Sequence, residues 1–254
     1  KTTDMLFFFS VPASLGYGGY YDNVGDMANR GIEFSTNITL KRTRDFDWSC
    51  YFNFTHYKNE VTYLAEDKKT VTIDGHSGYA SGNYFVGEGL ALNTFYMPKY
   101  AGVDQNTGES LWYRTAEDGT LVTTNEYSGN NGAENYLCAA PTPDFYGGFG
   151  TTLNYKGFDV SVAFTYSVGG LAYDSGYAGY MASPVAGSQG TNFHKDLLKS
   201  WTKDNPNNEI PRFQYNDQYT SRMSDRFLTD ASYLNFQNAQ VGYTVPEIYA
   251  KMMH

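Results

Sequence analysis

Four segments of this chain alternate apolar and polar side chains without interruption, and no other feature limits its fold as strongly. In residues 31–40, Ile32, Phe34, Ile38 and Leu40 fall on one face with Thr36, and Glu33, Ser35, Asn37 and Thr39 fall on the other. In residues 46–57 one face holds Phe46, Trp48, Cys50, Phe52 and Phe54, and the other Asp47, Ser49, Tyr51, Asn53 and Thr55. In residues 145–155, Phe145, Phe149, Leu153 and Tyr155 share a face with Gly147 and Thr151. In residues 157–168, Phe158, Val160, Val162, Phe164 and Tyr166 oppose Asp159, Ser161, Ala163, Thr165 and Ser167. A period of two over such lengths means strands with one apolar and one polar face. Ordinary globular strands average about 5–6 residues, whereas a transmembrane strand needs about 9–11. All four segments reach the longer figure.

Residues 1–9, 90–102 and 232–243 are weaker strand candidates, for a total of about seven. The links between segments differ sharply. Lys41-Arg42-Thr43-Arg44-Asp45 joins one pair and Lys156-Gly157 another, while residues 58–144 and 169–231 are long, polar and rich in Gly, Asn and Tyr. Loops beyond about 12–15 residues are uncommon in compact soluble domains. Short turns alternating with long loops are the habit of outer-membrane barrels. Within the second long link, HKDLLKSW (residues 194–201) places Leu197, Leu198 and Trp201 at amphipathic spacing and predicts a short helix over residues 192–202.

The polar face discriminates between a soluble sandwich and a barrel. A sandwich exposes its polar face to water and would usually carry Lys, Glu and Arg there. Here that face carries Ser, Thr, Asn, Ala and Tyr, while the other carries bulky Phe, Trp, Tyr and Val. Neutral hydrogen-bonding groups toward a lumen and bulky groups toward lipid fit this pattern, with Phe46, Trp48, Tyr155, Phe158 and Tyr166 placed as interface girdles. The pattern favours an antiparallel transmembrane β-barrel over a soluble β-sandwich carbohydrate-binding module, and Trp48, Phe52, Phe54, Val160, Val162 and Phe164 are the residues expected to face lipid. Composition agrees: of 254 residues, 24 are Tyr, 17 Phe and 26 Gly, a usage suited to strands and turns. The net charge of −9 argues against nucleic acid, whose phosphates require Lys and Arg. No stretch approaches the roughly 18 apolar residues of a membrane helix.

Catalytic and metal chemistry find little footing. The four histidines, His56, His76, His194 and His254, are scattered, and the two cysteines, Cys50 and Cys138, lie in unrelated contexts. The carboxylate pairs Glu66/Asp67 and Glu117/Asp118 sit in polar links and read as solvated. VDQNTGE (residues 103–109) offers oxygens at Asp104, Asn106 and Glu109 but lacks the glycine and the terminal bidentate Glu of a calcium loop, so a turn at Asn106-Thr107-Gly108 is the better reading. Asn37-Ile38-Thr39 and Asn53-Phe54-Thr55 match glycosylation acceptors but lie inside strands. No cofactor, metal or enzymatic activity is expected.

One ordered set of motifs goes beyond pattern. NVGDMANRGIEF (residues 23–34) precedes FDWSCYFNFTHYKNEVTYL (46–64). YAGVDQNTGESLWY (100–113), PTPDFYGGFGTTLNYKGFDVSVAFTYSVGG (141–170), LKSWT (198–202), IPRF (210–213) and DASYLNFQNAQVGYTVP (230–246) follow in turn. The set resembles the C-terminal half of the barrel in SusC/RagA-type TonB-linked outer-membrane proteins, a group of TonB-dependent receptors, over nearly the whole chain. The resemblance implies an all-β fold in which residues 1–254 are part of a large plugged barrel of about 22 strands with long extracellular loops. The plug and the segment that contacts TonB have no counterpart, so the chain is expected to be a partial barrel domain. The resemblance further implies location in the outer membrane and import of oligosaccharides or peptides. The partners would be a SusD-like surface lipoprotein and the TonB complex.

On that reading, residues 23–31 end an extracellular loop at the barrel rim, with Gly25 and Gly31 supplying unusual backbone angles. The loop aromatics Trp112, Tyr113, Tyr173, Tyr177, Tyr180 and Trp201 are the candidate substrate-binding residues, because an aromatic face suits the C–H face of a sugar. The competing reading is that these rings pack the loops against one another.

Overall fold

The structure, a computed structural model, describes residues 1–10, 13–187, 190–217 and 219–246. In chain order its strands are β1 (Thr2–Ser10), β2 (Gly19–Arg42), β3 (Phe46–Leu64), β4 (Val71–Ile73), β5 (His76–Ser81), β6 (Tyr84–Gly87), β7 (Thr94–Pro98) and β8 (Tyr100–Val103). There follow β9 (Ser110–Thr115), β10 (Leu121–Thr124), β11 (Asn135–Leu137), β12 (Phe145–Tyr155), β13 (Phe158–Val168), β14 (Leu171–Tyr173), β15 (Leu228–Asp230) and β16 (Tyr233–Tyr243). Two compact units result. One is Lys1–Tyr63 with Thr142–Gly170 and Asp230–His254, and the other is Leu64–Pro141 with Leu171–Thr229.

The first unit is a six-stranded sheet in the order β1-β2-β3-β12-β13-β16. Its tight turn at Lys156-Gly157 has both residues at positive φ, 47° and 88°. These are the angles of a hairpin turn whose twist matches the flanking strands. The link from β2 to β3 closes through a hydrogen bond from the Thr43 amide to the Phe46 carbonyl, 2.7 Å. Both long connections leave from the opposite ends of these strands.

The stretch that reads as a rim loop, residues 23–31, is strand throughout. β2 runs 24 residues, and its first part pairs with β1, Met5 opposite Gly25 and Leu6 opposite Asn23, with register shifts on both sides of Met5. Its polar residues misled because they serve the sheet. Asn59 donates to the Asn29 side chain at 2.7 Å, Thr62 donates to the Asp26 carbonyl at 3.3 Å, and Lys1 pairs with the Asp26 carboxylate at 3.0 Å. Gly25 is at φ 154° beside the register shift, as a bulge favours. Gly31 has no unusual angle. A Cβ there would collide with the His56 carbonyl oxygen and the Tyr57 backbone, so close strand approach is what demands glycine.

The second unit folds the two long links into structure that their composition hides. It contains the sheets β10-β9-β8 and β11-β7-β6-β5-β4 and the pair β14-β15. The expected strand over residues 90–102 is therefore two strands, β7 and β8, in different sheets. The expected helix over 192–202 is a single 3-10 turn, Lys195–Lys199, in which Leu197 is buried while Leu198 is 89% exposed. A short α-helix, α1 (Ser175–Tyr180), starts at Asp174, whose carboxylate accepts the Tyr177 amide, the usual way of satisfying a free helix-start N–H. One core cluster gathers Ala178, Met181, Leu197, Ile210 and Phe227, with Tyr173 and Tyr177 packed against it.

Candidate functional site

The register of the long sheet turns four separate alternations into one surface. Across β3, β12, β13 and β16, Phe46, Tyr155, Phe158 and Tyr243 stand in one row, and Trp48, Leu153, Val160 and Val241 in the next. Cys50, Thr151, Val162 and Ala239 follow, then Phe52, Phe149, Phe164 and Phe236, then Phe54, Gly147, Tyr166 and Leu234. A register shift after Ala163 keeps the last two rows aligned. The rings of Phe34 and Phe52 meet at 6.4 Å, which extends the surface to β2. Trp48, Phe52, Phe54, Val160, Val162 and Phe164 thus share one face. The intervening rows hold Ser49, Thr152, Ser161 and Gln240, and Asn53, Gly148, Thr165 and Asn235.

The apolar face has two further properties. First, its polar atoms are tied inward. Trp48 Nε1 donates to Thr151 Oγ1 at 2.8 Å, Cys50 Sγ donates to the same oxygen at 3.3 Å, and Thr151 donates to the Ser49 carbonyl at 3.1 Å. The Tyr166 hydroxyl donates to the Asn53 carbonyl at 3.0 Å, and Gly147 leaves room for it, since a Cβ there would crowd that oxygen and the hydroxyl. Backbone and side-chain polar groups facing hydrocarbon must find partners within the protein. Second, its height suits a bilayer. The face on β13 runs from Phe158 to Val168. Ten residue steps at about 3.3 Å give roughly 33 Å along the strand. A tilt of about 40° reduces this to about 25 Å, the height of a barrel's apolar band. At its lower edge Lys41 and Lys156 set their ammonium groups over the Phe46 and Tyr155 rings, 5.9 and 5.4 Å from the centroids.

The expected binding aromatics separate in the second unit. Trp112 is 1% exposed, edge-on to Tyr127 at 5.1 Å and stacked on Tyr219 at 6.2 Å. Trp201 is also buried, against Gly108, where a Cβ would strike its ring. Both indoles are packing residues with no free face for a ligand. Tyr173 and Tyr177 are half-buried around Phe227, at 6.1 and 6.0 Å. Tyr113 is half-buried beneath the Lys99 ammonium, and Tyr180 is 55% exposed.

The other singled-out groups have structural work. His56 Nδ1 meets the Asp144 carbonyl, His76 Nδ1 meets the Glu88 carbonyl, and His194 caps the turn at Asp196. His254 lies outside the described residues. Asp118 accepts from the Thr120 amide and hydroxyl, and Glu66 pairs with Lys69. VDQNTGE closes as a turn through Gly108 N to Asp104 O at 2.7 Å and Asn106 N to Asp104 Oδ1 at 2.7 Å. Its Glu109 is held by Arg212 at 3.2 Å and by Asn125. No group of metal-binding character occurs among the described residues.

Two charged constellations gave no sequence signal. Arg212 joins Asp217 at 2.8 Å, Glu109 and the Thr107 carbonyl across about a hundred residues of chain. Arg226 lies among Tyr100, Phe227 and the Thr220 carbonyl. Burial holds its pKa below the usual arginine range and raises that of neighbouring Asp225, although the Tyr100 amide donates to that carboxylate.

A sheet of long antiparallel strands with one continuous apolar face, joined by tight turns at one end and by long connections that leave from the other, is a portion of an all-β transmembrane barrel. No protein-family model matches the chain. It is 32% identical to TonB-dependent receptor P3 of Formosa agariphila over 98% of this chain and 25% of that protein. It is 24% identical to TonB-dependent receptor SusC of Bacteroides thetaiotaomicron over 98% of this chain and 24% of that protein. Among solved structures it superimposes on the RagAB peptide transporter with a TM-score of 0.75 and 28% identity, over 96% of this chain and 26% of that one. Over nearly its whole length the chain corresponds to a portion of the SusC- and RagA-type TonB-dependent receptors, and it spans about a quarter of the length of the relatives it matches.

Proposed function

We propose that this chain supplies barrel wall and extracellular loops to an outer-membrane importer driven by the TonB complex. The importer takes up oligosaccharides or peptides delivered by a SusD-like surface lipoprotein. Residues 1–254 act as part of a barrel domain. Trp48, Phe52, Phe54, Val160, Val162 and Phe164 face lipid, and the row of Asn53 and Ser161 faces the lumen. The observation that carries this reading is the apolar face with its inward-tied polar atoms, because a water-exposed sheet has no need to satisfy Trp48, Cys50 and Thr151 within itself. Relatives named TonB-dependent receptor, SusC and RagAB peptide transporter support the import role. Among the loop aromatics, Tyr113, Tyr173, Tyr177 and Tyr180 are the substrate contacts, and Trp112 and Trp201 support them from the core. No catalysis is involved.

Uptake of fluorescent oligosaccharides and peptides by cells with and without the protein tests this. Loss of uptake of at least one class, also seen on abolishing the proton gradient, is expected. Unchanged uptake of both classes would overturn it.

A further inference from the structure

The second unit contains a cavity of about 410 Å³ lined by Tyr100, Tyr177, Lys199, Asn207, Asn208 and Arg226 among others. Its most unusual member is Arg226. The guanidinium lies over the Tyr100 and Phe227 rings, 5.2 Å from each centroid. Nη1 donates to the Thr220 carbonyl at 3.3 Å. Nη2 is buried and has no hydrogen-bond partner. No acid among the described residues forms an ion pair with it.

Arg226 is half-buried, and a guanidinium drawn partly out of water is ordinarily paired with an acid, because removing its charge from water is expensive. Neither acid on the cavity wall forms an ion pair with it, although the Glu209 charge is near enough to favour the guanidinium. Asp196 accepts from the Tyr177 hydroxyl at 3.1 Å and pairs with Lys199 at 3.5 Å and His194 at 3.3 Å. Glu209 is exposed, and its backbone carbonyl, not its carboxylate, accepts the Tyr100 hydroxyl. Aromatic faces and amide side chains complete a lining that suits one small anionic group with an organic body.

The geometry points to a binding site for a carboxylate carried by the imported substrate, with Arg226 as the anion-binding group. This rests on the import reading. The carboxylate belongs either to a peptide end or to a uronic acid residue of a glycan.

Calorimetry on the detergent-solubilised protein tests it with two matched pairs. One pair is N-acetyl-trialanine and its C-terminal amide, and the other is trigalacturonic acid and maltotriose. In at least one pair the carboxylate probe is expected to bind at least tenfold more tightly, and the pair showing it identifies the source. Arg226→Gln abolishes that preference, and Arg226→Lys retains part of it. Equal affinity within both pairs, or no binding of any probe, overturns the inference on the unmutated protein, so the test does not depend on a variant folding. The uptake assay reads the import role separately, and uptake that persists without carboxylate preference leaves import standing while this site falls.

Discussion

Phe52 in the barrel wall and Phe85 in the loop unit are the same residue type, both in antiparallel strands, yet one is 39% exposed and the other fully buried. The contrast holds across the two regions. The wall strands run 9 to 24 residues and carry Ile32, Phe34, Trp48, Phe149, Phe236 and Val241 outward. The loop strands run 3 to 6 residues, and Phe85, Phe95, Met97 and Trp112 turn inward. One aromatic-rich composition thus takes two opposite exposures. In the loop unit the hydrophobic effect gathers rings away from water. In the wall, on the proposed reading that this face meets lipid, the apolar side chains need no protein cover and what must be hidden is polar. Thr151 makes the point. It is the hydroxyl at the centre of an apolar face, and its bonds to Trp48, Cys50 and Ser49 leave nothing for water to satisfy.

The contrast can be broken by exchanging the solvents. Trp112→Ala removes the largest fully buried side chain and is expected to destabilise the loop unit by about 3–5 kcal/mol, seen as lost amide-exchange protection in β8, β9 and β10 with the wall strands unaffected. Equal loss in β12 and β13 would show that the two units unfold as one. In the wall, Phe164→Arg is expected to cost about 2–4 kcal/mol in denaturant unfolding from lipid vesicles. The Ser161→Arg change on the opposite face should cost well under half as much. Similar costs on both faces would remove the distinction between them.

A smaller effect sharpens the loop side. Arg212→Met strips its partner from Asp217, a carboxylate in a side chain 3% exposed, and should cost about 1.5–3 kcal/mol in thermal or denaturant unfolding of the loop unit. The smallest effect is in pH. Burial raises the Asp225 pKa above its ordinary 3.8, so the folded state holds this proton more tightly than the unfolded one. That contribution favours the fold below the ordinary value and is lost as pH rises through the raised one. Unfolding followed across mildly acidic pH should show this decline, and Asp225→Asn should flatten it.

The wall was legible in the amino-acid sequence wherever both faces were uniform over many residues, as in β3 and β13. Reading failed at residues 23–31, where Asn, Asp and Gly usually signal a turn. There the backbone up to Met27 pairs with β1, the Asn29 side chain accepts from Asn59 of β3, and the Asp26 carbonyl accepts from the Thr62 hydroxyl. The loop unit was nearly illegible. Its strands are too short to show a period, and its contacts join distant residues, such as the Ser110 hydroxyl and the Tyr219 carbonyl. A ring in a long polar link looks the same in sequence whether it meets ligand or core, so Trp112 and Tyr180 could not be told apart. Arg226 gave no signal, because its surroundings come from four separate stretches of chain.

Site-directed spin labelling of the protein in lipid vesicles tests the central claim most directly. Labels replacing Phe52 and Val162 should be relaxed by oxygen dissolved in lipid and shielded from a water-soluble nickel chelate, while labels at Asn53 and Ser161 should respond to the chelate. Chelate access at Phe52 and Val162 with shielding at Asn53 and Ser161 would contradict the account.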